Sequence, residues 1–375
     1  MVVLAGVALI GCAPEAQDPR TELPRVTVTP KPPSPEELRH EAAVAWVDQA
    51  STRELVGSVI MASTGGTDPA TLHGLMESTG LGGFIIMGPN VPGTAEELAQ
   101  LTAQLAVDPD LPPLVAIDEE GGVVTRLPWD TYPGADTLRF APEAETEAAF
   151  QGRAQLLAQA GVNVNFGVVA DVTSDPGSFI YARTLGDDPS GAAARVAAAV
   201  RGEQLEHVAT TLKHFPGHGA APGDSHFTIP QTDKSLADWR DADAVPFKSG
   251  VDAGADLVMF GHLSYTQVSA APASLSPEWY SILRDELGFT GVAVTDDLGM
   301  LQSSGLPEYQ DAGANVVAAI AAGADLALIV VGMDAPKIAS LVDQVTASVE
   351  SGALPVDRLR EAALRDAELR LKLAE

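Results

Sequence analysis

Residues 213–226 read KHFPGHGAAPGDSH and hold three of the chain's seven histidines, together with Lys213 and Asp224. Such a set could bind a metal, cradle a phosphate or move protons. For a metal, His214 and His218 have the H-x3-H spacing that aligns two rings on one helix face. Phe215-Pro216-Gly217 lies between them, however, and does not suit a helix interior. The glutamate of an HExxH zinc motif is absent too. For a phosphate, Lys213 beside glycines would serve, but Asp118, Asp171 and Asp296 would oppose a dianion if they share the site. The third chemistry is acid–base and nucleophilic work on a neutral, hydroxyl-rich substrate. Glycoside hydrolysis needs a proton donor for the leaving oxygen and, with retention, a carboxylate nucleophile. Sugar hydroxyls also need many hydrogen-bonding partners, which Asp, Lys, Arg and His supply. These residues alone leave all three open. The third uses most of them and requires no metal and no cofactor.

Those side chains need elements to position them. Eight short apolar runs read as buried strands: 56–63, 82–88, 113–122, 162–172, 210–219, 256–265, 291–297 and 325–332. Between them lie segments with helical periodicity, such as AEELAQLTAQLA (95–106) and NVVAAIAAGA (315–324). Apolar strands alternating with helices imply a parallel sheet covered by helices, and eight units predict an α/β fold, a single (β/α)8 TIM-type barrel. A doubly wound open sheet is the alternative. It would need a glycine-rich turn after its first strand, for which VGSVIMASTGGTD is a weak match. Polar groups gather at the strand ends: Asp118-Glu119-Glu120, Asp171, Lys213-His214, His262 and Asp296-Asp297. Any single acid there could simply cap the next helix. Five clusters at strand ends instead predict convergence on the catalytic face of a barrel.

The chain has 375 residues, of which 46% are hydrophobic, enough for one barrel or two ordinary domains. Its 22 basic and 51 acidic residues give a net charge of −29, which repels nucleic acid and anionic lipid surfaces. No GxxxxGK[ST] loop is present, so nucleotide hydrolysis is not expected. A single cysteine allows no internal disulfide. That residue, Cys12, ends the apolar run of MVVLAGVALIGCA, and a polar, proline-rich stretch follows. The pattern resembles a bacterial lipoprotein signal over residues 1–12, with Cys12 as the lipidated mature N-terminus. The run is too short to span a bilayer. It also lacks the positive charge that normally precedes such a run. Seven prolines within 13–35 read as an extended tether. Ser34-Pro35-Glu36-Glu37 then signals a helix start, which predicts a catalytic domain over 36–375. Membrane contact only through the lipid anchor, an extracytoplasmic location and a monomer are the expectations.

Together, KHFPGHG, DSH, DEEGGVVTRL, NVNFGVVADV, ARTLGDDP and VTDDLGM resemble the β-N-acetylglucosaminidases of glycoside hydrolase family 3, over about residues 52–335. The resemblance implies a barrel that acts on GlcNAc-containing cell-wall saccharides with retention of configuration. It implies Asp296 as nucleophile, although Asp297 beside it is not separable by sequence. It implies His226 as acid/base paired with Asp224, on an extended loop expected to close over substrate. Asp118, Arg126, Arg183, Lys213 and His214 are the implied sugar contacts, while His218 and His262 match motif positions without a clear role. Two departures stand out: the motif's D-Q-E-G-G-R is Asp118-Glu119-Glu120-Gly121-Gly122-Val123 here. After residue 332 only two helices are expected, leaving no room for the second domain that supplies an acid in the family's β-glucosidases. Peptidoglycan fragments are the implied substrate. A phosphorylase of the same family, a non-catalytic muropeptide-binding lipoprotein and a metallohydrolase are the rivals.

Overall fold

The computed structural model describes residues 1–13 and 31–375. Most of the expected tether, residues 14–30, lies outside the described residues. Residues 1–13 form neither helix nor strand, and Cys12 is exposed.

Eight parallel strands form the frame: β1 Ile60–Ala62, β2 Gly83–Ile86, β3 Leu114–Ile117, β4 Val164–Val169, β5 Ala209–Phe215, β6 Leu257–Phe260, β7 Val292–Thr295 and β8 Ala327–Ile329. Each pairs with its neighbour in sequence, and β8 pairs with β1. A parallel bridge between Val294 and Leu326 brings β8 against β7, so the sheet closes on itself. The architecture is the (β/α)8 barrel, and the open-sheet alternative is excluded. β1 is shorter than the apolar run 56–63. Residues 56–58 belong to the helix Thr52–Ser58, which Ser51 and Glu54 cap reciprocally. Buried helix and buried strand look alike in an apolar run, so hydrophobicity could not find that boundary.

Strand periodicity explains how the site is built. Side chains alternate between faces with period two. Leu114 and Ala116 of β3, and Val292 and Val294 of β7, fill the barrel interior, while Val115, Ile117 and Ala293 pack outward under the helices. The inward parity continues to Asp118 and Asp296, the first polar positions beyond the strand ends. The packing that fills the barrel therefore delivers these two carboxylates to its C-terminal mouth.

The other end is closed by the chain's last helix, Val356–Ala374. Its Leu369 belongs to the barrel-interior cluster, and Arg370 donates to the Leu111 and Pro112 carbonyls at 2.6 and 3.0 Å. Lys372 bonds Asp256 just before β6 at 2.6 Å. The first helix, Pro35–Gln49, starts at a Ser34–Glu37 capping box and packs on the last one.

Candidate active site

A cavity of ≈ 130 Å³ opens at the C-terminal mouth, lined among others by Asp118, Arg126, Arg183, Lys213, His214, His226 and Asp296. Of the residues given a catalytic, sugar-binding or lipidation role in the sequence, Asp224 and Cys12 fall outside its lining, and Asp224 hydrogen-bonds His226; the strand-end residues Glu119, Asp171, His262 and Asp297 also lie outside it. A larger groove of ≈ 630 Å³ lies at the opposite end of the barrel, beside Asp256 and Gly291, and holds none of them.

One wall is a charge network. Lys213 Nζ bonds Asp118 Oδ1 at 2.8 Å and Glu120 Oε1 at 2.7 Å. Arg183 grips Glu120 with two bonds of 2.9 and 2.7 Å, a bidentate pairing that fixes both planes. Arg126 approaches Asp118 at 3.4 Å. Burial raises the carboxyls of Asp118 and Glu120, but the surrounding cations win: both end below their ordinary values, Glu120 at about 2. Burial likewise works against the Lys213 ammonium, which Asp118 and Glu120 hold above its ordinary value. The loop carrying Arg126 turns at Gly121 and Gly122, whose φ values of +82° and +66° favour glycine. Buried Glu119 pins that loop by accepting the Arg126 and Leu127 amides at 2.8 and 3.0 Å.

Lys213 and His214 are consecutive, yet both line the cavity. In a regular strand they would face opposite ways. The pairing of β5 with β6 shifts register between Leu212 and Phe215, which re-aims the strand end. The turn that follows is anchored from beneath: Trp239 donates to the Pro216 carbonyl at 2.7 Å and Tyr265 to the Gly217 carbonyl at 2.8 Å. Asp171, after β4, orients His214. Its Oδ2 lies 2.7 Å from His214 Nδ1, while Arg183 Nη2 lies 3.2 Å from Nε2. A guanidinium only donates, so Nε2 accepts and the proton sits on Nδ1. Burial first, then the Arg183 charge, holds His214 well below its ordinary pKa, in agreement with a neutral ring.

Asp296 and Asp297 separate cleanly. Asp297 turns away: Oδ1 accepts the Gly299 and Val330 amides, and Oδ2 accepts the Val331 amide, all at 2.8 Å. Asp296 faces the cavity, with Oδ1 accepting the Asp297 amide at 2.8 Å. Burial pushes the Asp296 carboxyl up. The Asp297 amide and the Lys213 charge act in the opposite direction and favour the carboxylate. His262 is structural in its contacts, bonding the Asp297 carbonyl at 2.8 Å and Ser274 Oγ at 2.7 Å.

His226 and Asp224 do pair, with Nδ1 and Oδ1 2.6 Å apart. The extended loop expected from their i, i+2 spacing is not what joins them. The Asp224 carbonyl accepts the Phe227 and Thr228 amides, and Asp224 Oδ1 also accepts the His226 amide at 3.0 Å, so the segment is a tight turn. An aspartate folding back on its own backbone is strongly favoured in such turns. Both side chains are partly open to solvent, 55% for His226 and 38% for Asp224. Of the three histidines of the stretch, His214 is bonded to Asp171 and His226 to Asp224, while the His218 ring has no hydrogen-bond partner among the described residues. Among the described residues, no group of three or more His, Cys, Asp or Glu is arranged to hold a metal ion. Glu120 and Asp171 complete the site; their strand-end positions were the available signal, but no role followed from sequence.

A closed parallel barrel with a charged pocket at its C-terminal mouth defines a class of enzyme in which the strand-end loops carry the chemistry. The pattern of the glycosyl hydrolase family 3 N terminal domain matches residues 52–369, and the chain belongs to that family. A β-hexosaminidase of Pseudomonas aeruginosa is 37% identical over 254 residues, 66% of this chain and 75% of that protein. A family 3 β-N-acetylglucosaminidase from Paenibacillus superposes with a TM-score of 0.81 at 30% identity, covering 87% of this chain; the match spans 63% of that enzyme's length. M. tuberculosis LpqI superposes with a TM-score of 0.78 at 28% identity, over 88% of this chain and 96% of that one.

Proposed function

We propose that this protein is a retaining exo-β-N-acetylglucosaminidase that removes terminal GlcNAc from peptidoglycan fragments. Family membership and the hexosaminidase relatives support β-N-acetylhexosaminidase activity. The observation that carries the finer reading is the meeting of Asp296 and His226 on one cavity, with Asp224 bonded to the imidazole. In this reading His226 gives a proton to the leaving oxygen while Asp296 attacks the anomeric carbon and forms a glycosyl-enzyme. Asp224 orients the ring through Nδ1 and stabilises its charged form, leaving Nε2 for the substrate. Water then opens the ester, with His226 as base. Asp118, Arg126, Arg183, Lys213 and His214 hold the ring hydroxyls through the charge network.

The peptidoglycan substrate rests on the expected export of the chain. The apolar run ending at exposed Cys12 supports lipidation and an envelope location. No helix among the described residues is long and apolar enough to cross a membrane. The test is a digest of purified muropeptides, with the released sugar identified by mass spectrometry and its first anomer by NMR. Free GlcNAc appearing first as the β anomer is expected. No released sugar, or an α anomer first, would overturn the proposal. A sugar phosphate formed only when phosphate is added would favour a phosphorylase.

A further inference from the structure

His218 is the one histidine of residues 213–226 that the mechanism above leaves unused. Its side chain is 1% exposed, and neither ring nitrogen has a protein hydrogen-bond partner among the described residues. The ring lines the cavity together with Asp296 and His226. Its plane is fixed without using a nitrogen. The His218 amide donates to Asp171 Oδ1 at 2.6 Å, and Phe179 and His214 pack edge-on at centroid distances of 4.5 and 6.1 Å. Leaving a buried polar group unpaired costs about 1–3 kcal/mol. A fold that holds the ring so firmly implies that the occupant of the cavity supplies its partner.

The chemistry of that partner follows from charge. Burial lowers the imidazole below its ordinary pKa, and although the Asp171 and Asp296 charges act to raise it, burial wins. A neutral ring offers one donor and one acceptor. It therefore suits an oxygen that also donates and accepts, in water or a hydroxyl. An anion fits poorly. Asp171, Asp224 and Asp296 all lie close enough for electrostatic coupling to His218. The cations Lys213, Arg183 and Arg126 are committed to Asp118 and Glu120.

We propose that His218 is a catalytic residue that hydrogen-bonds the acceptor water of the second step, holding it for attack on the glycosyl-Asp296 ester. This rests on the retaining reading above. The water oxygen bonds the anomeric carbon, the bond from that carbon to the Asp296 carboxylate oxygen breaks, and the water proton passes to His226. Asp296 returns as a carboxylate. The same place admits a sugar hydroxyl but not phosphate.

The test uses the full chain and 2,4-dinitrophenyl β-N-acetylglucosaminide, whose leaving group needs little protonation, so that the second step limits turnover. In His218→Ala, kcat should fall roughly 10- to 100-fold while kcat/KM stays within about threefold, because only the second step is slowed. The glycosyl-enzyme should accumulate, visible by intact-protein mass. His218→Gln keeps a donor and an acceptor and should recover most of kcat, which also guards against a folding defect. Unchanged kinetics in both variants, or kcat and kcat/KM falling together with no adduct, would overturn the inference alone. Failure of the wild type to form an adduct with a 5-fluoro glycosyl fluoride would overturn it together with the retaining reading.

Discussion

Asp296 and Asp297 are adjacent in sequence but face opposite ways: Asp297 is saturated by the Gly299, Val330 and Val331 amides, while Asp296 lines the cavity. Substitution should therefore separate two effects. Asp296→Ala is expected to lower kcat on an aryl β-N-acetylglucosaminide by about 10³-fold or more with unfolding nearly unchanged. Asp297→Ala strips an acceptor from three amides and should destabilise the fold by roughly 2–4 kcal/mol. Turnover and chemical denaturation of both variants check this. A destabilised but active Asp296→Ala would reverse the assignment.

The Asp224–His226 pair sits in a partly solvated turn and should matter in proportion to the proton it moves. For a poor leaving group, His226→Ala should lose about 10²- to 10⁴-fold in kcat/KM. For a dinitrophenyl leaving group, which departs without a proton, the loss in kcat/KM should be far smaller. Asp224→Ala should follow the same pattern less steeply, since it leaves the imidazole in place without its anchor. Equal losses on both substrates would point to a damaged pocket rather than a missing acid.

Much of this was legible in sequence because burial on both faces makes parallel strands read as apolar runs, and the two-residue alternation carries the first polar residue of inward parity to the barrel mouth. Asp118 and Asp296 follow directly from that rule, and Lys213 shares the inward parity of Ala209 in β5. What was not legible depends on departures from it. The register shift after Leu212 lets His214 join Lys213, and no residue pattern announces it. The choice between Asp296 and Asp297 depends on the Val330 and Val331 amides just after β8, more than thirty residues away in sequence. The turn joining Asp224 to His226 is local, but spacing alone suggested an extended loop. Asp171 shows its role only once β4 and β5 are side by side.

The C-terminal helix contributes one buried side chain, Leu369, to the barrel interior, beside Leu359, Ala362 and Ala363 in the outer core. Leu369 is 6% exposed and packs into the barrel interior from the end opposite the active site. Leu369→Ala should cost about 2–4 kcal/mol, with kcat and KM on an aryl substrate unchanged below the new unfolding transition. Denaturant titration and kinetics on one preparation decide it. A loss under about 1 kcal/mol would mean that the helix rests on the barrel rather than filling it.

Glu119 stands where the family motif has glutamine, and its surroundings make it behave as one. The side chain is fully buried, and burial first, then nearby Asp130, raises its pKa from 4.5 to about 8. At neutral pH it is a protonated, uncharged acid with the shape of an amide, still accepting the Arg126 and Leu127 amides. Because the folded value lies above the unfolded one, the native state holds an extra proton between the two. Its stabilising effect is complete at pH below the unfolded value and declines as pH rises, until the proton is lost near the folded value. Glu119→Gln should remove that dependence while keeping Arg126 in place. Its Tm should fall less than that of the wild type between about pH 5 and pH 9, and its activity near neutrality should stay within about threefold. Some slope should persist in both proteins, because buried Glu203 is raised to about 8 as well. Parallel Tm curves would show that Glu119 is ionised in the folded protein, and the Oε1 atom that has no hydrogen-bond partner would then be a buried, uncompensated charge beside Asp130.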